Sequence, residues 1–300
     1  MAISRSQLVK ELEPGLNALF GLEYKRYENQ HAEIYTAENS DRAFEEEVML
    51  SGFANAQVKA EGAGVSFDEA QETFSARYTH ETVALAFAIT EEAIEDNLYD
   101  RLASRYTKAL ARSMANTKQV KAANVLNNAF GTANGGDGKE LCATDHPITA
   151  GTEQNELSTA ADLNETSLEQ SLIDIAAMTD ERGLRVAARG VKMIIPSELQ
   201  FTAERLMKSQ GRTGTADNDI NAIVSMGMVP QGYRVNNYLT DTDAFYILTD
   251  VPNGMKMFNR APLTTAMEGD FDTGNVRYKA RERYSFGVSD PRGIFASPGA

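Results

Sequence analysis

The sequence predicts an α+β fold in which an exposed β-hairpin and a long helix stand apart from an α/β lobe. Three observations predict it. Two strand-like runs, Glu45–Val58 and Gln71–Ile89, flank a glycine-bearing tip, Lys59-Ala60-Glu61-Gly62-Ala63-Gly64. One long helical pattern follows over Glu91–Phe130, and short strands and helices then alternate to a final strand. Ten strand residues reach roughly 33 Å and about 40 helical residues roughly 60 Å. A compact chain of 300 residues has a radius of gyration of only about 19 Å. A hairpin and helix in series therefore outgrow an ordinary compact monomer. An isolated hairpin is marginally stable in water, so this one is expected to lie on another copy of the same chain.

Taken in order, Leu8, Leu12, Leu16, Leu19 and Phe20 recur at helical spacing, with Pro14-Gly15 expected to bend or split that helix. Tyr24–Asp41 reads as a polar strap. In the second hairpin run Phe74, Ala76, Tyr78 and His80 alternate on even positions, then Val83, Leu85, Phe87 and Ile89 on odd ones. That change of phase predicts a bulge or a change of sheet near Glu81-Thr82. Thr90 is the expected N-cap of the long helix, whose stripe runs Ile94, Leu98, Leu102, Tyr106, Leu110, Met114, with an interruption expected at Asn116-Thr117. Gly131–Gly138 is a loop. Thr166-Ser167-Leu168-Glu169 is read as a capping box for a helix ending near Arg182, and Ser197 with Gln200 as a second box for a helix through Lys208. Val191–Ile195, Tyr233–Leu239 and Ala244–Leu248 read as strands, and Ile220–Met226 as a short helix. The last strand places Val276, Tyr278, Ala280, Tyr284, Phe286 and Val288 on one face and Arg277, Lys279, Arg281 and Arg283 on the other.

Composition narrows the function. A hydrophobic share of 42% fits a globular protein, and 300 residues suit two lobes. A net charge of −14 argues against a dedicated nucleic-acid or anionic-membrane binder, although such a chain can enclose DNA without adhering to it. One cysteine excludes a disulfide framework within the chain. Neither a signal peptide nor a membrane span is expected.

Chemical motifs are weak. Gly131–Lys139 fails as a phosphate loop, because Ala133 and Glu140 stand where glycine and Ser/Thr belong. Gly62 and Gly64 lack the third glycine of a dinucleotide fingerprint. Cys142, Asp145 and His146 have no second cluster to complete a zinc site, and a turn ending at His146-Pro147 is the better reading. Glu45, Glu46 and Glu47 are sequence neighbours that point alternately, so they do not converge as an acid–base pair. No catalytic residue, cofactor or metal is expected. The row Arg277, Lys279, Arg281, Arg283 calls for a counter-charge, which the acidic hairpin base Glu45–Glu47 of a neighbouring copy is placed to supply.

The order of arm, glycine-tipped hairpin, long helix, α/β lobe and terminal strand resembles the major capsid proteins of tailed bacteriophages, the Hong Kong 97-type fold. Local text is similar too: Phe87-Ala88-Ile89-Thr90-Glu91-Glu92, Thr144-Asp145-His146-Pro147, Met193-Ile194-Ile195-Pro196-Ser197-Glu198-Leu199, and Arg281-Glu282-Arg283-Tyr284-Ser285-Phe286-Gly287-Val288 before Pro291. The resemblance implies an N-terminal arm (1–44), an extended loop (45–82), a peripheral domain with the spine helix (83–139), an axial domain (140–265) and a strand returning to the peripheral domain (266–300). It implies self-assembly into hexamers and pentamers of an icosahedral virion shell that encloses double-stranded DNA, built in the host bacterial cytoplasm. Scaffolding, portal and decoration proteins are the implied partners. Contacts between copies are expected at Glu45, Glu46, Glu47, Lys59, Glu61, Gly62, Gly64, Arg277, Lys279, Arg281 and Arg283. Some relatives cross-link through a loop lysine; Lys59 stands near the tip, but the partner asparagine and catalytic glutamate have no match here. The alternatives are a bacterial nanocompartment shell of the same fold and a cytosolic α/β enzyme.

Overall fold

The computed structural model describes residues 5–90, 92–93, 99–132, 135–212, 219–270 and 274–300. Helix α1 (Arg5–Arg26) runs unbroken past Pro14, because its Leu16 and Phe20 are buried with Leu110 and Met114 of the long helix. That packing outweighs the one backbone bond that proline removes. A 3-10 turn, Gln30–Glu33, leads to β1 (Thr36–Asn39). The hairpin strands are β2 (Phe44–Leu50) and β3 (Glu72–Thr79), and β4 (Glu81–Ile89) follows at once. Helix α2 is described over Tyr99–Asn127, and Ala93 N–H donates to Thr90 Oγ1 at 3.4 Å. The expected start at Glu91, stripe positions Ile94 and Leu98, the side chains of Leu8, Leu12 and Leu102, and residues 213–218 of the later polar loop lie outside the described residues.

Beyond the glycine loop come the small hairpin β5 (His146–Ile148) and β6 (Gly151–Glu153), then α3 (Glu165–Ala177), β7 (Gly190–Ile195), α4 (Gln200–Lys208) and α5 (Ala222–Met226). Strands β8 (Tyr233–Val235), β9 (Phe245–Thr249), β10 (Met255–Gly269), β11 (Val276–Val288) and β12 (Ile294–Ser297) complete the chain. Two four-stranded sheets organise it, in the orders β1-β10-β11-β4 and β12-β9-β7-β8. The first covers α1 and α2 with Ile89, Tyr278 and Ala280; the second closes over α3 and α4 with Met193, Ile195, Phe245, Ile247 and Phe295.

Several expectations are corrected. The first hairpin strand ends at Leu50 rather than Val58, because the ladder shifts between Val48 and Leu50 and Gly52 turns to φ 63°. The change of sheet expected near Glu81-Thr82 is found there, with His80 between β3 and β4. The His80 ring nitrogens meet Ser285 Oγ at 2.9 Å and Ser40 Oγ at 3.0 Å, which fixes the corner. Asn116-Thr117 does not interrupt α2, since Thr117 Oγ1 donates to the Ser113 carbonyl within the helix. The long helix ends at Asn127, short of Phe130. The cap of α3 is Asn164, reciprocated by Ser167, and that helix ends at Ala177 because Met178 is extended and buried. Ser197 bonds Glu198 instead of capping, and a 3-10 turn precedes α4. Strand β8 ends at Val235 rather than Leu239, and β8 and β9 each pair with β7. Strand β10 was not expected at all. It pairs with β11, which lies between β10 and β4 as an interior strand.

The arm is pinned along α2. Tyr35 Oη donates to the Ala122 carbonyl at 2.8 Å, Gln119 binds the His31 N–H at 3.0 Å, and Lys192 of β7 meets Glu33 at 2.8 Å. His31 is buried against Phe286, with Lys118, Gln119 and Tyr35 around it. Burial, then the Lys118 charge, lowers its pKa to about 4. An unfolded histidine titrates near 6.5, so the folded form binds its proton less readily. Stability is complete above pH 6.5 and falls as pH drops toward 4, by about 3 kcal/mol at most from this group. In urea denaturation at pH 7 and 4.5, His31→Phe should lose a smaller fraction of its stability than the wild type. Equal losses would refute the assignment.

Candidate assembly surface

Residues 51–71 leave the β2–β3 ladder and project from it. Every residue from 53 to 73 is exposed. Backbone pairing there is sparse: Ser51 N–H to Gln71 O at 2.8 Å, and Ala63 N–H to Ala60 O at 3.1 Å across the tip. That tight turn needs Gly62, whose φ of 78° suits a residue without Cβ. Phe67 is 96% exposed and Val58 99%, with Phe53 and Val65 also open to solvent. Solitary exposed apolar side chains are ordinary; here four stand on one unpaired loop. Lys59, Glu61, Gly62 and Gly64 all lie on this loop. At its root Arg182 donates to Asp68 Oδ1 at 3.1 Å and to the Glu69 carbonyl at 2.7 Å.

The base of the loop is fixed by buried polar groups. Lys256 is buried between Glu47 and Glu38, the latter at 3.1 Å, and Ser289 bonds both Glu47 and Tyr78. Burial alone would lower the Lys256 pKa; the hydrogen bonds it donates to Glu47 and Glu38 overcome that, so the ammonium is held above its ordinary value. Glu45 accepts from Ser40 Oγ at 2.7 Å, and Glu46 lies 3.7 Å from Arg77. The hairpin carboxylates thus meet cations of their own chain, and within one chain none forms an ion pair with Arg277, Lys279, Arg281 or Arg283 among the described residues. Sequence reading missed Lys256 and Ser289; only Tyr78 and His80, alternating into a buried phase, signalled a packed base.

Behind that base sits a second polar knot. Asn155 Nδ2 donates to the Leu141 and Pro291 carbonyls, each at 2.8 Å, while its Oδ1 accepts from Ala143 N–H at 2.9 Å and faces His146 Nε2 at 2.9 Å. His146 Nδ1 meets Asp137 at 2.6 Å. Burial would raise the Asp137 pKa, but His146 and the Lys139 N–H overcome it and the carboxyl lies below its usual range. Gly136, in the same loop, presses on β3: a Cβ there would stand 2.8 Å from the Ser75 carbonyl. Cys142 is buried nearby, its pKa raised by desolvation, and Asp145 pairs with Lys139. Cys142, Asp145 and His146 therefore have separate structural partners. Among the described residues no cluster of His, Cys, Asp or Glu could hold a metal ion, and no helix is long and apolar enough to cross a membrane.

On β11, Arg277, Lys279 and Arg281 are exposed, and Arg283 is half-buried with Nε unpartnered. Arg277 is paired with Asp270. The opposite face buries Tyr278, Ala280, Glu282 and Tyr284, as the alternation predicts except for Glu282. Glu282 binds Lys118 at 3.3 Å and Tyr24 at 3.4 Å; burial raises its pKa against the Lys118 charge.

A sequence model described as phage capsid protein matches residues 72–297. The chain belongs to that family. Among curated proteins, none matches the sequence. Of solved structures, the capsid of an empty GTA particle superposes with a TM-score of 0.59 at 16% identity over 91% of both chains. A virus-like particle from Pyrococcus furiosus gives 0.53 at 10% over 95% of this chain and 98% of that one. The capsid of Myoviridae phage XM1 gives 0.52 at 11% over 89% and 90%. This phage capsid protein has the Hong Kong 97-type fold.

Proposed function

We propose that this capsid protein is the major head subunit, assembling into hexamers and pentamers that close an icosahedral shell around double-stranded DNA. The observation that carries the reading is the family match over residues 72–297, joined to a loop that exposes its apolar side chains. The Pyrococcus furiosus particle shares the fold, so the fold alone does not separate shell types; the family match favours a phage head over a nanocompartment. Residues 1–44, 45–82, 83–139, 140–265 and 266–300 act in this proposal as arm, extended loop, peripheral domain, axial domain and returning strand. Scaffolding, portal and decoration proteins join a shell built in the bacterial cytoplasm, and the chain works as a structural protein, not as an enzyme.

Electron microscopy of the purified chain, expressed alone and with its neighbouring genes, tests the proposal. Hollow shells or six- and five-fold rings support it. A small discrete oligomer with a turnover activity refutes it, and shells filled with protein cargo instead of DNA transfer it to the nanocompartment reading. The exposed cations of β11 enter the same experiment. Lys279→Glu with Arg281→Glu should abolish shells while the subunit's melting temperature moves by only a few degrees, since neither side chain is buried. Arg283 is left alone because it is half-buried. Normal shells from the double variant would remove this face from assembly.

A further inference from the structure

We propose that the outer edge of β4 is the strand to which the loop 51–71 of a second copy adds. The inference rests on the loop being donated and names where it lands. Strand β4 is the last of its sheet, and among the described residues no strand pairs with its far side. It pairs with β11 in unbroken register from Glu81 to Ile89. Soluble proteins blunt such edges with lysine, proline, bulges or shortness. This strand, Glu-Thr-Val-Ala-Leu-Ala-Phe-Ala-Ile, has none of them. Thr82, Ala84, Ala86 and Ala88 are exposed, and Leu85 is 46% exposed. An unprotected apolar edge of this length is a template for another strand.

The same chain carries a segment lacking a partner. Between Ser51 and Gln71 the backbone is nearly unpaired, and a strand edge satisfies such groups by main-chain hydrogen bonding. Charge agrees. Beside β4, Lys279 stands opposite Ala86 and Arg281 opposite Ala84, so small side chains leave both cations open. No carboxylate lies within ion-pair distance of either among the described residues. The loop brings the carboxylates of Glu61 and Glu69, together with Phe53, Val58, Val65 and Phe67. In its own copy the root of the loop is held elsewhere, by Arg182 at Asp68 and Glu69.

Topology supplies the last argument. Strand β3 passes directly into β4, so each subunit carries a donor loop and an acceptor edge in series. Two different surfaces meeting make a heterologous contact, which repeats head to tail and closes a ring when the rotation permits. Every copy donates once and accepts once.

Prolines at successive positions test the edge. In an antiparallel strand, neighbouring N–H groups point to opposite sides. Of Leu85→Pro and Ala86→Pro, one removes a bond to β11 and the other only an outward N–H. The outward variant should melt like the wild type yet need at least about 100-fold more protein to form shells or rings. Because Cys142 is buried, Leu85→Cys offers one reactive thiol. Its labelling by a maleimide should be about tenfold or more slower in shells than in free subunits, since a paired edge is covered. Assembly of the outward proline variant at wild-type concentration, or equal labelling in both states, overturns the proposal. So does a short bismaleimide that joins Leu85→Cys only to its counterpart and not to Phe67→Cys. A loop-shortened chain separates the two failures. If it cannot assemble while the proline variant can, the loop is donated but lands elsewhere; if both assemble, donation itself is wrong.

Discussion

Excising residues 53–69 and joining Gly52 to Ala70 through an Asn-Gly turn is expected to give a folded subunit that no longer closes shells. The excised residues are all exposed, so the body loses no core. The Ser51–Gln71 hydrogen bond and the β2–β3 ladder remain to close the shortened hairpin. The body loses the Arg182 contacts with Asp68 and Glu69; a partly exposed ion pair contributes about 0–1 kcal/mol. Melting should therefore shift by only a few degrees. Assembly is affected far more. Full burial of a large apolar side chain contributes about 1.5–3 kcal/mol, and the loop exposes Phe53, Val58, Val65 and Phe67. Ordering an extended loop consumes much of that gross value. Even about 3 kcal/mol per contact that survives raises the protein concentration needed for shells about 100-fold. Light scattering across a concentration series measures that threshold, and a threshold unchanged from wild type would exclude the loop from assembly.

The loop was legible in the sequence because its signals are local. Strand alternation, a glycine turn and a shift of buried phase at His80 each involve residues a few positions apart. The burial of β11 was legible for the same reason, since Tyr278, Ala280 and Tyr284 alternate with exposed cations. Strand β10 was not. Its first four residues, Met255–Phe258, are buried on both faces, and Pro262 breaks the run. The ladder accommodates that proline by shifting register between Asn259 and Thr264, which no local pattern announces. Without β10 the neighbour of β11 on one side stayed unknown; in the structure β11 is interior and the sheet's edges are β1 and β4. Lys256 was hidden in another way. Its carboxylate Glu47 lies 209 positions away, and only the fold brings them together. Helix caps failed by small offsets: Asn164 and Ser167 form the box two positions before the pair read from sequence. Several side chains compete at each helix start, and the winner is set by where the preceding chain enters.

Asn155 is a residue that no sequence motif singles out, and Asn155→Ala is expected to be the most destabilising single change at the base of the loop. It is 1% exposed and holds three stretches of chain together: Leu141 and Ala143 after the glycine loop, His146 of β5, and Pro291 near the terminus. Truncation removes every one of these bonds without removing their partners. Two carbonyls, one N–H and one imidazole nitrogen are left facing a small void. Each buried group left unpaired costs about 1–3 kcal/mol, and a water entering the void recovers part of it, so a net loss of about 3–5 kcal/mol is expected. Urea denaturation measures it against the exposed control Ser158→Ala, which should stay within about 0.5 kcal/mol of wild type. A loss below about 1 kcal/mol would show that the knot is not structural. The consequence extends to the loop. His146 fixes Asp137, and the same loop sets Gly136 against Ser75 of β3. Loosening Asn155 should therefore let the hairpin root move, so that limited proteolysis at Lys59 and Arg77 accelerates at temperatures well below melting. Faster cleavage at Lys59 alone would mean that only the tip is mobile and that the root is held by Lys256 and Ser289 without this knot.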